Sequence, residues 1–168
     1  KSSSTPNVYD IDAKVVSAGI IGDNNLEVTG TVNNNTKSPT LDLDAKMKDF
    51  DLAFAQTFVN GVFSNLRGKA TGDLKILGTV NDIDYTGDIA MKNLGLKLNF
   101  TGVDYSFDDT VIPLSKGLAI LNDIGVKDGR SNSKGSISGA IQFETLASMG
   151  VNLVMRADNL LLLNTTQK

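Results

Sequence analysis

At 168 residues and a formal net charge of −3, with no lysine- or arginine-rich run, the chain is long enough to bury a core and lacks the basic footprint of a nucleic-acid binder. It has neither histidine nor cysteine, which removes the commonest general base, the thiolate nucleophile and most transition-metal ligands, so no enzyme, cofactor or metal site is expected. Seventeen Asp against two Glu, with 16 Gly, favour turns over helix.

Residues 1–7 read as a linker, and 8–168 as a single β domain. The first strand alternates Tyr9, Ile11, Ala13 and Val15 against Asp10, Asp12 and Lys14. A glycine-containing connection over 17–25 leads to Leu26, Val28, Gly30 and Val32. A polar loop over 33–39 then precedes Leu41, Leu43, Ala45 and Met47. Between Phe50 and Leu66 the period changes: Phe54, Phe58 and Val62 recur at four-residue steps. That spacing predicts one short amphipathic helix, limited by Gly61, which either packs over an end of the sheet or forms a flap over a groove.

The stretch from Lys69 to Asp108 organises the rest. It reads as four strands joined by three two-residue turns, Asn81-Asp82 and Thr101-Gly102 among them. One face carries Ala70, Gly72, Leu74, Ile76, Gly78 and Val80, then Ile83, Tyr85, Gly87, Ile89 and Met91, then Leu94, Leu96, Leu98 and Phe100, and finally Val103, Tyr105 and Phe107. Successive strand residues point to opposite sides, so this alternation marks a sheet with one dry face, on which no charge falls. The turns predict Val80 opposite Ile83 and Phe100 opposite Val103. The other face is polar, with Leu77 and Ala90 as exceptions. Something apolar must cover the dry face.

A further tight turn at Asp108-Asp109 places Thr110, Ile112 and Leu114 on that face, followed by Leu118, Ile120, Ile124 and Val126. After a polar loop over 127–134 come Gly135, Ile137, Gly139, Ile141 and Phe143, then Val151, Leu153, Met155 and Ala157, and an apolar run from Leu160 to Leu163. The expected fold is all-β: ten to twelve strands in a curled antiparallel meander sheet, with one short helix. The members of the carboxylate pairs Asp10/Asp12, Asp42/Asp44, Asp49/Asp51 and Asp82/Asp84 lie two positions apart, which on a strand puts both on one face, and the first two pairs are read as the wet face of theirs. The Asp128-Gly129-Arg130-Ser131-Asn132 loop lacks EF-hand spacing, and no glycine-rich phosphate loop is present. Gly72, Gly78 and Gly87 are read as sites of curvature or bulging.

The segment Leu66-Arg67-Gly68-Lys69-Ala70-Thr71-Gly72-Asp73-Leu74-Lys75-Ile76-Leu77-Gly78-Thr79 resembles a signature of the TamB family (translocation and assembly module, AsmA-like superfamily). Tyr85-Thr86-Gly87, the Tyr-x-Phe-x-Asp run from Tyr105 to Asp109, and the closing Leu162-Leu163-Asn164-Thr165 follow in similar order. The resemblance implies a segment near the C-terminal end of a long periplasmic protein, anchored in the inner membrane by a helix outside this sequence and meeting an outer-membrane barrel of the Omp85 class. It implies a β-taco groove that conducts phospholipid between the membranes, supports outer-membrane protein assembly by holding an apolar β-strand substrate, or both. The groove residues are then Leu74, Ile76, Ile83, Tyr85, Ile89, Met91, Leu94, Leu96, Leu98, Phe100, Tyr105 and Phe107. Exposed sheet edges and an uncovered groove further suggest homodimers of the isolated segment. Two other readings are a structural or adhesive β-sandwich or solenoid with a closed core, and a calcium-dependent carbohydrate-binding or hydrolytic β domain.

Overall fold

A computed structural model describes residues 5–15, 25–35, 37–59, 61, 63–143 and 149–161. Residues 1–4, most of the 17–25 connection, Val62 and Leu162 to Thr165 lie outside the described residues. So do the side chains of Phe58, Phe143 and Val151.

The described chain is all-β, a single ten-stranded antiparallel sheet. Its strands are β1 (Val8–Val15), β2 (Leu26–Asn33), β3 (Thr40–Asp51), β4 (Phe63–Thr79), β5 (Asp82–Leu98), β6 (Val103–Phe107), β7 (Thr110–Ser115), β8 (Leu118–Lys127), β9 (Lys134–Phe143) and β10 (Met149–Asp158). They neighbour one another in chain order, except that β6 and β7 both lie along β5 and both reach β8. The register explains why the alternation is so regular. Ala13 faces Val28, Val28 faces Ala45, Ala45 faces Leu74 and Leu74 faces Gly87; the same row then runs through Leu114 and Ala119 to Ile141. One dry face therefore crosses the whole meander without a parity error.

A line of bulges creases this sheet. Pairing shifts between Met47 and Phe50 on β3, between Ser64 and Lys69 on β4, and between Leu121 and Ile124 on β8. At or near each shift sits an Asx residue in the left-handed region: Asp49 (φ 47), Asn65 (φ 54) and Asp123 (φ 50), with Asn93 (φ 51) midway along β5. Asp and Asn tolerate that conformation better than other side-chain-bearing residues. A side chain of the next strand takes the N–H that a bulge frees: Thr71 Oγ1 accepts from Asp49, Asp109 Oδ1 from Asn93 and Ser138 Oγ from Asp123, at 2.9–3.0 Å. Each extra residue also flips strand parity, which keeps Met91 and Leu94, or Leu121 and Ile124, on the same side.

Four expectations need correction. Asp108-Asp109 is not a turn. Val103 to Ser106 and Thr110 to Leu114 pair with β5 in one unbroken register, so the chain runs straight through, and the break after Met91 is likewise a bulge inside β5. The helix expected between Phe50 and Leu66 shrinks to a 3₁₀ turn (Leu52–Ala55) and one α-turn (Gln56–Val59), because β3 runs to Asp51 and β4 already starts at Phe63. Asp51 caps the 3₁₀ turn by accepting from the Ala53 N–H at 3.0 Å. On β8 the inward residues are Ala119 and Leu121; Ile120 is 41% exposed, so the Leu118/Ile120 parity is reversed by the Asp123 bulge. Finally, the hairpins close one pair earlier than expected, at Thr79/Asp82 and Leu98/Val103, which leaves Val80 and Phe100 at the tips.

Gly72, Gly78 and Gly87 pair in regular register and serve close approach of backbones rather than bulging. A Cβ on Gly87 (φ +148) would lie 2.1 Å from the Asp73 carbonyl oxygen, whereas one on Gly150 would meet nothing nearer than 3.6 Å. Gly87→Ala is expected to lower stability by roughly 1–3 kcal/mol through strain, and Gly150→Ala by no more than about 0.5 kcal/mol. Urea unfolding midpoints decide it; equal midpoints for the two variants would refute the close-approach reading.

Candidate functional site

The best-buried part of the dry face lies in β6 to β10. Ile112, Ala119, Leu121, Ile124 and Ile137 form one buried cluster, and Val103, Tyr105, Val126 and Leu160 another. Between them the curled sheet forms a partly open apolar cavity of about 320 Å³, within the size range of small-ligand pockets. Phe63 contributes from β4, and Leu94, Leu96 and Leu98 from β5. Tyr105, Phe107 and Ile112 line it from β6 and β7. Leu121 and Ile124 (β8), Ile137 and Ile141 (β9), and Leu153 and Met155 (β10) complete the wall. The only polar group on these side chains, the Tyr105 hydroxyl, donates to the Leu161 carbonyl oxygen at 2.8 Å. Burial also pushes the Tyr105 phenol upward, as it does that of Tyr85, so neither is a source of charge near neutral pH.

Of the predicted groove residues, Leu94, Leu96, Leu98, Tyr105 and Phe107 converge on this cavity. Leu74, Ile76, Ile83, Tyr85, Ile89 and Met91 lie on the same face by register but outside the cavity wall. Of these, Ile83 is buried and Met91 packs against the Ile112 cluster. Phe100 is a correction. It is 86% exposed at the β5–β6 hairpin tip, because the loop there has four residues rather than two. Among the added wall residues, Phe63 was hidden by the helical spacing and Leu121 by the bulge two residues on.

The opposite face is a lattice of exposed ion pairs. Lys75 lies 2.6 Å from Asp42 and 3.1 Å from Asp44, so that carboxylate pair clamps a neighbouring-strand lysine. These hydrogen bonds raise the Lys75 ammonium above its usual range, although exposed pairs of this kind contribute little stability. Arg67 spans the crease, donating to Asp104 at 2.6 Å and lying where a Cβ on Gly95 would otherwise sit. Among the described residues, no cluster of acidic side chains could hold a metal ion, and no helix is long and apolar enough to cross a membrane.

One buried carboxylate stands apart. The side chain of Asp128 has 0% exposure. It pairs with Arg130 and accepts the Leu161 N–H, and these bonds hold it well below the usual carboxylate range. A depressed pKa contributes stability above the unfolded value, near 3.9, that is lost progressively as pH falls below it. Exchange of the Leu161 amide should therefore accelerate below about pH 4 beyond the intrinsic pH dependence of exchange. Asp128→Asn should remove the extra acceleration, and the same pH profile in that variant would refute the role.

No family model, curated protein or solved structure matches this chain.

Proposed function

We propose that this chain is a segment of a periplasmic protein whose curled sheet holds phospholipid acyl chains and passes them between the inner and outer membranes. The observation that carries the reading is the wall of the cavity: apolar on every side, free of available hydrogen-bonding groups, and continuous with one apolar face from β1 to β9. Such a space favours a ligand by apolar area removed from water, at about 25 cal/mol per Å², and offers nothing to orient a polar substrate. The resemblance to TamB supplies the cellular setting, namely an inner-membrane anchor, an outer-membrane barrel partner of the Omp85 class and a role in outer-membrane protein assembly. An apolar strand of an unfolded outer-membrane protein is the other cargo that such a face fits.

The competing reading is a structural or adhesive domain, favoured by the tight packing of the β6–β10 half, where Val126 is only 1% exposed. Titration of the folded protein with cis-parinaric acid separates the two. Saturable binding that is competed by phospholipid supports the lipid reading; no binding by a protein with a cooperative unfolding transition makes the cavity a packing defect of a closed core.

A further inference from the structure

Strand pairing ends where Asp158 meets Lys134, and the chain then passes beside the cavity residues Leu98, Phe107 and Met155. Asn159 makes the reversal in the left-handed region (φ 59). Leu160 drops to 8% exposure against Val103, Tyr105 and Val126, in a cluster that also touches the cavity residues Leu98, Phe107 and Met155. Room for it exists because residue 135 is glycine: a Cβ there would stand 3.1 Å from Leu160 Cδ2. Three groups from elsewhere in the fold then hold the backbone. The Asp128 carboxylate accepts the Leu161 N–H, the Tyr105 hydroxyl donates to the Leu161 carbonyl, and Arg130, already paired with Asp128, donates to the Asn159 carbonyl at 2.8 Å. Among the described residues, one leucine side chain and a few polar contacts, instead of a strand ladder, hold this segment.

We propose that Asn159–Leu161 is a latch: seated, it closes the Leu98–Met155 end of the cavity, and released, it opens that end so that an acyl chain can enter. The identity of the occupant rests on the function proposed above; the closure does not. Local opening is set by the contacts that must break, and among the described residues these are few. The rim groups read peptide backbone, and Gly135 and Val126 read a single apolar side chain, so the seat is specific for this segment without pairing it to the sheet.

The test uses the absence of native cysteine. Val126→Cys, close to isosteric, places a thiol beneath Leu160, and its labelling by N-ethylmaleimide reports opening. A rate independent of urea at low concentration marks local rather than global unfolding. Adding Asp128→Asn removes the ionic acceptor of the Leu161 N–H and should speed labelling by about tenfold or more, with cis-parinaric acid uptake accelerating in parallel. Leu160→Ala is the second variant, should Asp128→Asn fail to fold. Labelling no faster in either folded variant overturns the latch, and faster labelling with unchanged uptake overturns its control of entry. Faster labelling in proteins that bind no parinaric acid at all leaves the closure standing and removes the lipid reading instead.

Discussion

Leu96→Asp is expected to abolish binding of an acyl chain, while Ser106→Asp leaves it intact. Leu96 projects into the cavity from near the C-terminal end of β5, opposite Tyr105. A carboxylate there has no cation or free donor among the wall residues, and removing its water costs several kcal/mol even after relaxation. Binding driven by apolar area cannot absorb that loss. At about 25 cal/mol per Å², burying some 200 Å² of acyl surface returns about 5 kcal/mol, so a charge in the wall cancels it. Ser106 lies between Tyr105 and Phe107 in sequence, but its exposed side chain is on the other face, directly across from Lys127. Aspartate there adds at most a weak surface ion pair. Because Leu96→Asp can also unfold the sheet, Leu96→Ala serves as the folded comparison, enlarging the cavity without a charge. Equal parinaric acid affinities for Leu96→Asp and Ser106→Asp, both folded, would mean that ligands bind elsewhere than in this cavity. Photo-crosslinking from Leu98 set against Lys97 makes the same comparison without a buried charge.

Parity was the legible part of this fold. A period of two reports which face a residue occupies whatever its partner strand, so Tyr9, Val28, Leu43, Ile76 and Ile137 could be placed from their neighbours alone. Two properties were not written in that period. One is where the chain reverses. Asp108-Asp109 has the composition of a turn, yet the same residues also suit a bulge, and only pairing with β5 separates the two. Because a bulge and a two-residue turn both restore parity, Ile112 and Leu114 came out on the correct face for the wrong reason. The other is how far the face curls. Sequence alternation says that Leu74 and Leu96 share a side, not that only Leu96 reaches the cavity wall. The helical reading of Phe54, Phe58 and Val62 failed because four-residue spacing over so few turns also fits a short 3₁₀–α connection between two long strands. Leu160 was visible as apolar, but its seat at Gly135 depends on contacts distant in sequence.

Deleting Asn93 is expected to prevent folding, although Asn93→Gly should be nearly silent. Two residues separate Met91 from Leu94, where strict alternation allows one, and the left-handed bulge at Asn93 (φ 51) absorbs the surplus. Its freed N–H is taken by Asp109 at 2.9 Å, on the strand that carries the matching irregularity. Removing one residue shifts everything after it by a full face. Either Leu94, Leu96 and Leu98 turn outward, or β5 slips against both β4 and β6. Exposing three half-buried leucines, each worth at most about 1.5–3 kcal/mol, costs up to roughly 5–9 kcal/mol, a large share of the roughly 5–15 kcal/mol by which a domain of this size is typically stable. Glycine at the same position keeps the bulge, tolerates positive φ and loses only an exposed amide side chain, so its stability should stay within about 1 kcal/mol of the parent. Asn93→Val is the graded case: a β-branched residue forced into that region should lose about 1–2 kcal/mol while the pairing persists. Far-ultraviolet circular dichroism with urea melts orders the three variants. A deletion variant that melts with the parent's midpoint would show that the crease does not set the register of the cavity wall.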